Sequence, residues 1–289
     1  MICEKENDLR GVVPGTENFQ TKSDEQRVIS EWENAPVQID RYPEGSLTLS
    51  SGDKYRYNPG RRLTIRGEQV MDDCETPWAA ATINTAFSEL RRRKTDTIRV
   101  LELGFGLGIT ASWIIRRFLE REGRSEYVGV ELNKDVFRSA QEWQRNIEAG
   151  LKAFRPVSPD IKFLLLQGDS RTVTVKLAEE RKQRCKFDII ISDTYPIKKG
   201  DEGINDLKDL DVLTTCLAKD GVFAFFPFFP ESDDPNHFTH EQRRLIAPYF
   251  QIIRTSDANI NPPEKYKYLW HGSEPVRKLP VAVAIGPRL

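Results

Sequence analysis

The sequence predicts an α/β fold: a seven-stranded, mostly parallel sheet covered by helices on both faces, with its last strand pair antiparallel. Two observations lead to it. From residue 97 onward, uninterrupted apolar stretches alternate with amphipathic ones, and strands covered on both faces read as continuous apolar runs. Ahead of that region lies a polar segment, then a short stretch with period-two patterning broken by Gly and Pro, which marks an N-terminal arm and a small β-hairpin or meander. A chain of 289 residues with 38% hydrophobic content has room for one large core of this kind plus an extension.

Residues 1–45 are polar and weakly periodic, with Pro14 and Pro36 as breakers. They are read as a mobile arm, a lid over the rest, with one short helix around Ser23–Glu33. The segments SLTLS, KYRY and RLTIR, separated by SSGD and NPG, place the hairpin or meander within 46–70. The main domain is then 71–289. Its first helix is ETPWAAATINTAFSELRRR, which has Pro in the first turn and a basic last turn. Strands follow at 97–103, 126–132, 160–166, 187–192, 221–228, 250–256 and 279–286. Helices are expected at 109–121, 134–154, 172–184, 205–219 and 241–250. No internal repeat or low-complexity tract interrupts the pattern.

Several function classes are disfavoured. With 43 Lys and Arg against 44 Asp and Glu the formal charge is −1, which gives no electrostatic footprint for nucleic acid or an anionic membrane. No run approaches 18 apolar residues, so a spanning helix is not expected. MICEKENDLR lacks the apolar stretch of a secretory signal. Cys3, Cys74, Cys185 and Cys216 are far apart and have no His partner at ligand spacing. That argues against a zinc site or a disulfide framework and for a reducing, cytoplasmic location. No metal is expected.

The densest signal is LELGFGLG at 101–108, between a strand and a helix. Gly104, Gly106 and Gly108 let the chain turn sharply and pass close to a ligand, in front of a positive helix end. Alone, the motif fits a dinucleotide fingerprint, a methionine-derived nucleoside site, or a tight turn. The third glycine comes too early for GxGxxG and residue 109 is Ile, so a dinucleotide fits less well. Glu131 ends the next strand, where a carboxylate can accept both ribose hydroxyls of an adenosine. Asp169, in QGDS, is either an adenine contact with Ser170 beside it or a helix cap.

Glycines after the first strand, an acid ending the second and an Asp after the third resemble, over residues 97–228, the class I S-adenosyl-L-methionine-dependent methyltransferases with their Rossmann-like sheet. Two further segments, LTIRGEQVMDDCETPWA at 63–79 and SDTYP at 192–196, are similar to those of guanidinoacetate N-methyltransferase. More distantly they resemble fungal protein arginine δ-N-methyltransferases. The resemblance implies S-adenosyl-L-methionine as cofactor, contacted by Met71, Glu102, Gly104, Gly106, Gly108, Glu131, Asp169 and Ser170. It also implies that Glu75 and Asp193 bind and deprotonate a guanidino group, with Tyr195 shaping the wall. The chemistry agrees. A guanidinium is planar, carries five donors and has a pKa of about 12 or higher, so it becomes nucleophilic only as a proton leaves. Paired carboxylates can grip the fork and accept that proton. A sulfonium is already an activated methyl donor and needs no metal.

Alternatives remain at the level of residues. SDTYP also reads as a strand-ending turn, and Glu75 as a first-turn acid favoured by the helix dipole. Phe228 or Phe229 in FAFFPFFP could line the acceptor pocket. Past residue 226 the likeness fades, so arginine or another guanidino compound competes with guanidinoacetate as acceptor. A spermidine-synthase-like aminopropyltransferase and a catalytically inactive binding subunit are the rival functions. The former usually carries D-x-x-D-P where this chain has SDTYP. The expected partner is a small guanidino substrate, and a homodimer stays open.

Overall fold

The structure, a computed structural model, describes residues 19–48, 52, 54–90, 97–153, 160–181, 186–197, 204–227, 240–263, 270–271, 274–275 and 278–287. Helix α1 (Phe19–Glu33) leads into strands β1 (Val37–Tyr42), β2 (Gly45–Thr48), β3 (Lys54–Tyr57), β4 (Gly60–Ile65) and β5 (Glu68–Asp72). The expected hairpin or meander is present as two small antiparallel sheets. β2 and β3 pair with each other, while β4 runs antiparallel between β1 and β5. The turn from β4 to β5 explains the arrangement. Arg66 and Gly67 both have positive φ, 56° and 80°, the handedness that matches strand twist in a two-residue hairpin. In β1 the alternation is short, Val37-Gln38-Ile39-Asp40, and its four central residues, Gln38–Arg41, are all exposed.

A 3-10 turn at Asp73–Glu75 enters α2 (Thr76–Leu90). Strands and helices then alternate as β6 (Thr97–Leu103), α3 (Ile109–Leu119), β7 (Arg124–Glu131), α4 (Lys134–Ala153), β8 (Asp160–Gln167), α5 (Ser170–Arg181) and β9 (Phe187–Ser192). After them come α6 (Leu210–Cys216), β10 (Leu217–Phe225), α7 (His240–Ile246), β11 (Phe250–Asn259), β12 (Trp270–His271), β13 (Glu274–Pro275) and β14 (Lys278–Pro287). The helix expected over 205–219 is broken into a 3-10 turn at Asn205–Leu207 and the short α6. Its last residues join the sheet instead, because Leu217 pairs with Phe187 and both side chains are buried there. Burial in the sheet overrides the helical pattern.

The large sheet has the order β11-β14-β10-β9-β6-β7-β8, and β14 runs antiparallel to both neighbours. Alternate residues of its strands feed two separate cores. Val222 and Ala224 point to one, and Phe223 and Phe225 to the other. That is the expected pattern for a sheet covered on both faces. Helix α2 belongs to the first core, where the Trp78 indole N–H donates to the Pro280 carbonyl at 3.0 Å. No described helix is long and apolar enough to cross a membrane.

From β6 the chain moves to β7 on one side, while β9 flanks β6 on the other. This reversal leaves a crevice outside the carboxyl ends of β6 and β9, where open α/β sheets bind ligands. The two strand ends almost touch. The Asp193 N–H donates to the Leu103 carbonyl at 2.9 Å. Gly104 has φ 86°, and a Cβ there would lie 2.2 Å from the Asp193 carbonyl oxygen.

This contact separates two glycines of similar φ. Gly67→Ala, with open space around the added Cβ, should cost about 1 kcal/mol, the strain of a left-handed residue alone. Gly104→Ala adds a clash with backbone that cannot swing away, and should cost about 3 kcal/mol or more. Urea unfolding of both variants checks this, and equal midpoints would contradict the described approach of β6 and β9.

Candidate active site

A cavity of about 780 Å³ opens at this crevice. The loops after β6, β7, β8 and β9 form its floor, through Gly104, Gly106, Glu131, Asp169 and Asp193. The small sheet supplies a side wall with Leu63, Ile65 and Met71, and α1 covers it with Ile29 and Trp32. The covering residues follow from local pattern. Glu25, Ile29 and Trp32 are spaced four and three apart, so they share one face of α1.

The glycine loop is held from three directions. The Gly104 N–H donates to the Val130 carbonyl at 3.0 Å. Met71, brought in by β5, accepts the Leu107 N–H on its sulfur at 3.1 Å, and a Cβ on Gly106 would come within 2.6 Å of that sulfur. From the third side Glu131 Oε2 accepts the N–H groups of Phe105 and Gly106 at 3.1 and 3.2 Å. Its Oε1 accepts the Asn133 N–H at 2.8 Å. Burial raises the Glu131 carboxyl above its ordinary value, and these backbone donors oppose the shift. Gly108 lies off the cavity wall, where its left-handed φ of 72° begins α3.

Asp169 lines the cavity and also caps α5, accepting the Thr172 N–H and hydroxyl, both at 2.9 Å. Ser170 lines the cavity beside it. Glu102, expected on the resemblance to touch the cofactor, is instead completely buried and off the cavity wall. It sits on β6 between Leu101 and Leu103, and its Oε2 accepts the Tyr127 hydroxyl at 2.5 Å. Burial pushes its carboxyl up to about 8, against the Tyr127 hydrogen bond.

The acids at the other end converge. Asp193 lines the cavity directly after β9, and among the described residues its buried Oδ2 has no hydrogen-bond partner. Burial holds its carboxyl well above the usual range, and the charges of Glu75, Asp206 and Glu102 push in the same direction. Glu75 is only 4% exposed and does not itself line the cavity. The structure thus brings the two sequence-predicted acids within electrostatic reach of each other. Tyr195 lines the cavity and packs on Trp32, with ring centroids 5.3 Å apart.

Several wall residues escape sequence reasoning. Asp206 Oδ1 accepts the hydroxyls of Ser192 and Thr194, at 2.8 and 2.5 Å, and so clasps both flanks of Asp193. Its carboxyl is pushed up to about 6 by burial, with those hydroxyl donors opposing. In sequence it reads as one more polar position of a helix. Asn133 had a usable signal, an Asn just before a helix. Its Oδ1 accepts the Asp135 and Val136 N–H groups, while its amide donates to the carbonyls of Trp32 and Ala35 at 2.9 Å each. The end of α1 is thereby tied to the loop after Glu131. Phe228 and Phe229 lie outside the described residues, as do Cys3 and Cys185. Cys74 and Cys216 are not in disulfides, and no metal-binding group of His, Cys, Asp and Glu occurs among the described residues.

The arrangement fits a nucleoside with a cationic centre. Glycines at 104 and 106 keep backbone exposed on the floor, Glu131 and Asp169 offer carboxylates, and the acids around Asp193 favour positive charge. The raised carboxyl groups also link folding to pH. A carboxyl raised in the folded state contributes stability below its unfolded pKa and loses it as pH rises through the folded value. For Glu102 that window runs from 4.5 to about 8. The melting temperature of the ligand-free protein should therefore fall between pH 5 and 8.5, and Glu102→Gln should flatten that decline. Parallel slopes for the two proteins would contradict the buried, protonated acid.

Comparison with known proteins gives these features a family. The family model of guanidinoacetate N-methyltransferase matches residues 50–226, more than half of the chain. No curated protein matches the chain. Among solved structures, a probable spermidine synthase from Corynebacterium glutamicum ATCC 13032 is 16% identical, with 88% of this chain and 80% of that one covered at a TM-score of 0.50. Spermidine synthase from Thermotoga maritima is 15% identical, with 85% and 72% covered at 0.48. The carbon methyltransferase CurJ is 15% identical, with 73% and 54% covered at 0.43. At such identities the first of these likenesses speaks to the fold alone, and the two below a TM-score of 0.5 support nothing further. The matched family model, laid over the glycine loop and both acidic segments, decides the rest: the chain belongs to the guanidinoacetate N-methyltransferase family, a methyltransferase of the class I fold whose cofactor is S-adenosylmethionine.

Proposed function

We propose that this chain methylates a guanidino nitrogen of a small molecule, with Asp193 at the cavity wall holding the guanidinium and accepting its proton and Glu75, buried behind that wall, as the second carboxylate that the entering acceptor would reach. The single observation that carries the reading is the Asp193 carboxyl, which is buried beside other acids and has an Oδ2 without a hydrogen-bond partner among the described residues. Such a group costs free energy in the empty site. A planar cation with several N–H donors supplies both the missing hydrogen bond and the missing charge.

In this reading Met71, Gly104, Gly106, Glu131, Asp169 and Ser170 hold the cofactor, and Tyr195 and Trp32 exclude water beside the acceptor. S-adenosylmethionine, held by these residues, would supply the methyl group already activated as a sulfonium. Burial and the neighbouring acids raise the Asp193 carboxyl and so favour its protonated form before the acceptor binds. The arriving guanidinium favours its ionised form, and the carboxylate then takes one N–H proton as the nitrogen is methylated. Asp206 holds the backbone on either side of Asp193 and is a positioning residue. The arm at 1–45 acts as a lid, the segment at 46–70 as a side wall and 71–289 as the catalytic domain. The chain acts in the cytoplasm on a small molecule, without nucleic acid or membrane as partner.

Asp193→Asn keeps the shape and removes the proton acceptor, so turnover should fall by about a hundredfold or more. Cofactor affinity, measured by calorimetry, should change little. Glu75→Gln should raise KM for the guanidino acceptor as well as lower kcat, since an amide cannot accept from the fork as a carboxylate does. Methyl transfer to guanidinoacetate and to arginine checks both, and near-normal rates from the two variants would contradict the mechanism.

A further inference from the structure

Trp32 closes the acceptor-side wall, and its ring has to be held in place by something other than its backbone. The Asn133 amide fixes the Trp32 carbonyl at 2.9 Å, which settles where the main chain runs and not which rotamer the side chain takes. Lys134 and Gln167 reach Asn34 and Glu33, beyond the ring. Two groups meet the ring itself. Tyr195 packs on it with centroids 5.3 Å apart, and the guanidinium carbon of Arg66 lies 5.9 Å from its centroid, within range of a cation–π attraction.

Arg66 is brought there by its turn. It is the first of the two residues that join Ile65 to Glu68, which pair across β4 and β5, and its φ of 56° is the left-handed value such a turn requires. Its Nη1 donates at 2.8 Å to Glu31, the residue before Trp32, and Glu31 also meets Arg27 on its own helix at 3.4 Å. The Arg66 and Glu31 side chains are 41% and 40% exposed, so the ion pair alone contributes little to stability. What it does is orient the guanidinium against the neighbouring ring. Arg66 does not line the cavity, so it reaches a bound acceptor only through the indole.

We infer that Arg66 is a positioning residue for the acceptor, holding the Trp32 ring against Tyr195 from outside the cavity. The inference rests on the guanidino reading above, which places the acceptor beside these two rings, and adds to it the group that sets the wall. Three parts of the chain then meet at one side chain: the lid helix carries Trp32, the segment after β9 supplies Tyr195, and the β4–β5 turn supplies the cation.

The test is a double-mutant cycle in the full chain, with S-adenosylmethionine and guanidinoacetate or arginine, whichever the unaltered protein methylates faster. Arg66→Ala should raise the acceptor KM about fivefold, the scale of one partly exposed cation–π contact. Its kcat should stay within about twofold, because the wall touches the acceptor both before and during transfer. Calorimetry should find the cofactor Kd unchanged. A merely destabilising change lowers the active fraction and leaves KM where it was. In a Trp32→Leu background Arg66→Ala should have no further effect on KM, because the ring it acts on is gone. An unchanged acceptor KM in Arg66→Ala would overturn the inference and leave the guanidino reading intact, as would an equal rise in the Trp32→Leu background or a matching loss of cofactor affinity. Methylation of neither compound by the unaltered protein would overturn both.

Discussion

Burial of the Asp193 carboxyl among other acids is the constraint on which the site depends. A carboxylate in water needs no partner. One enclosed at the end of β9, in the field of Glu75, Asp206 and Glu102, has its carboxyl held above the usual range, and an arriving cation favours its ionised form. Empty and loaded sites thus differ in charge as well as in contents. The free energy that burial costs the empty protein is available for recognising a cationic acceptor, and a neutral molecule of the same shape would not recover it.

The backbone makes that enclosure possible. Gly104 lets the ends of β6 and β9 approach until there is no room for a Cβ. The same turn sends the loop across Met71, so the cofactor-side floor and Asp193 lie at the ends of neighbouring strands. Covering them takes elements from outside the large sheet. The hairpin of β4 and β5 carries Leu63, Ile65 and Met71 into the wall. Asn133 caps α4 and fastens the end of α1, so one side chain links the loop after Glu131 to the residue that packs on Tyr195. Cofactor side and acceptor side are connected through a few short-range hydrogen bonds.

Much of this was legible in the sequence. Continuous apolar strands announced the sheet and its antiparallel last pair. The glycine loop, Glu131 and Asp193 stand at strand ends, where the ligand crevice of such sheets must be. What the sequence hid depends on long-range contact. Glu102 sits in the middle of the glycine motif, yet strand alternation turns it away from the cavity and toward Tyr127. Asp206 gains its meaning from Ser192 and Thr194, fourteen and twelve residues away. The β1–β4–β5 sheet was missed because the alternation in β1 spans only Val37-Gln38-Ile39-Asp40, directly after Pro36, and its central residues are exposed. Trp32 reads as one apolar residue in a polar helix until Tyr195 is placed against it.

Proton release on acceptor binding tests the central claim most directly. Calorimetric titration of a guanidinium compound into the protein loaded with S-adenosylhomocysteine, repeated in buffers of different ionisation enthalpy, counts the protons exchanged. If Asp193 is held protonated by burial and ionises against the bound cation, binding near neutral pH releases a proton, and Asp193→Asn abolishes that release. Binding of the guanidinium with no proton released by the unaltered protein would show that the carboxyl was already ionised, and would contradict the account.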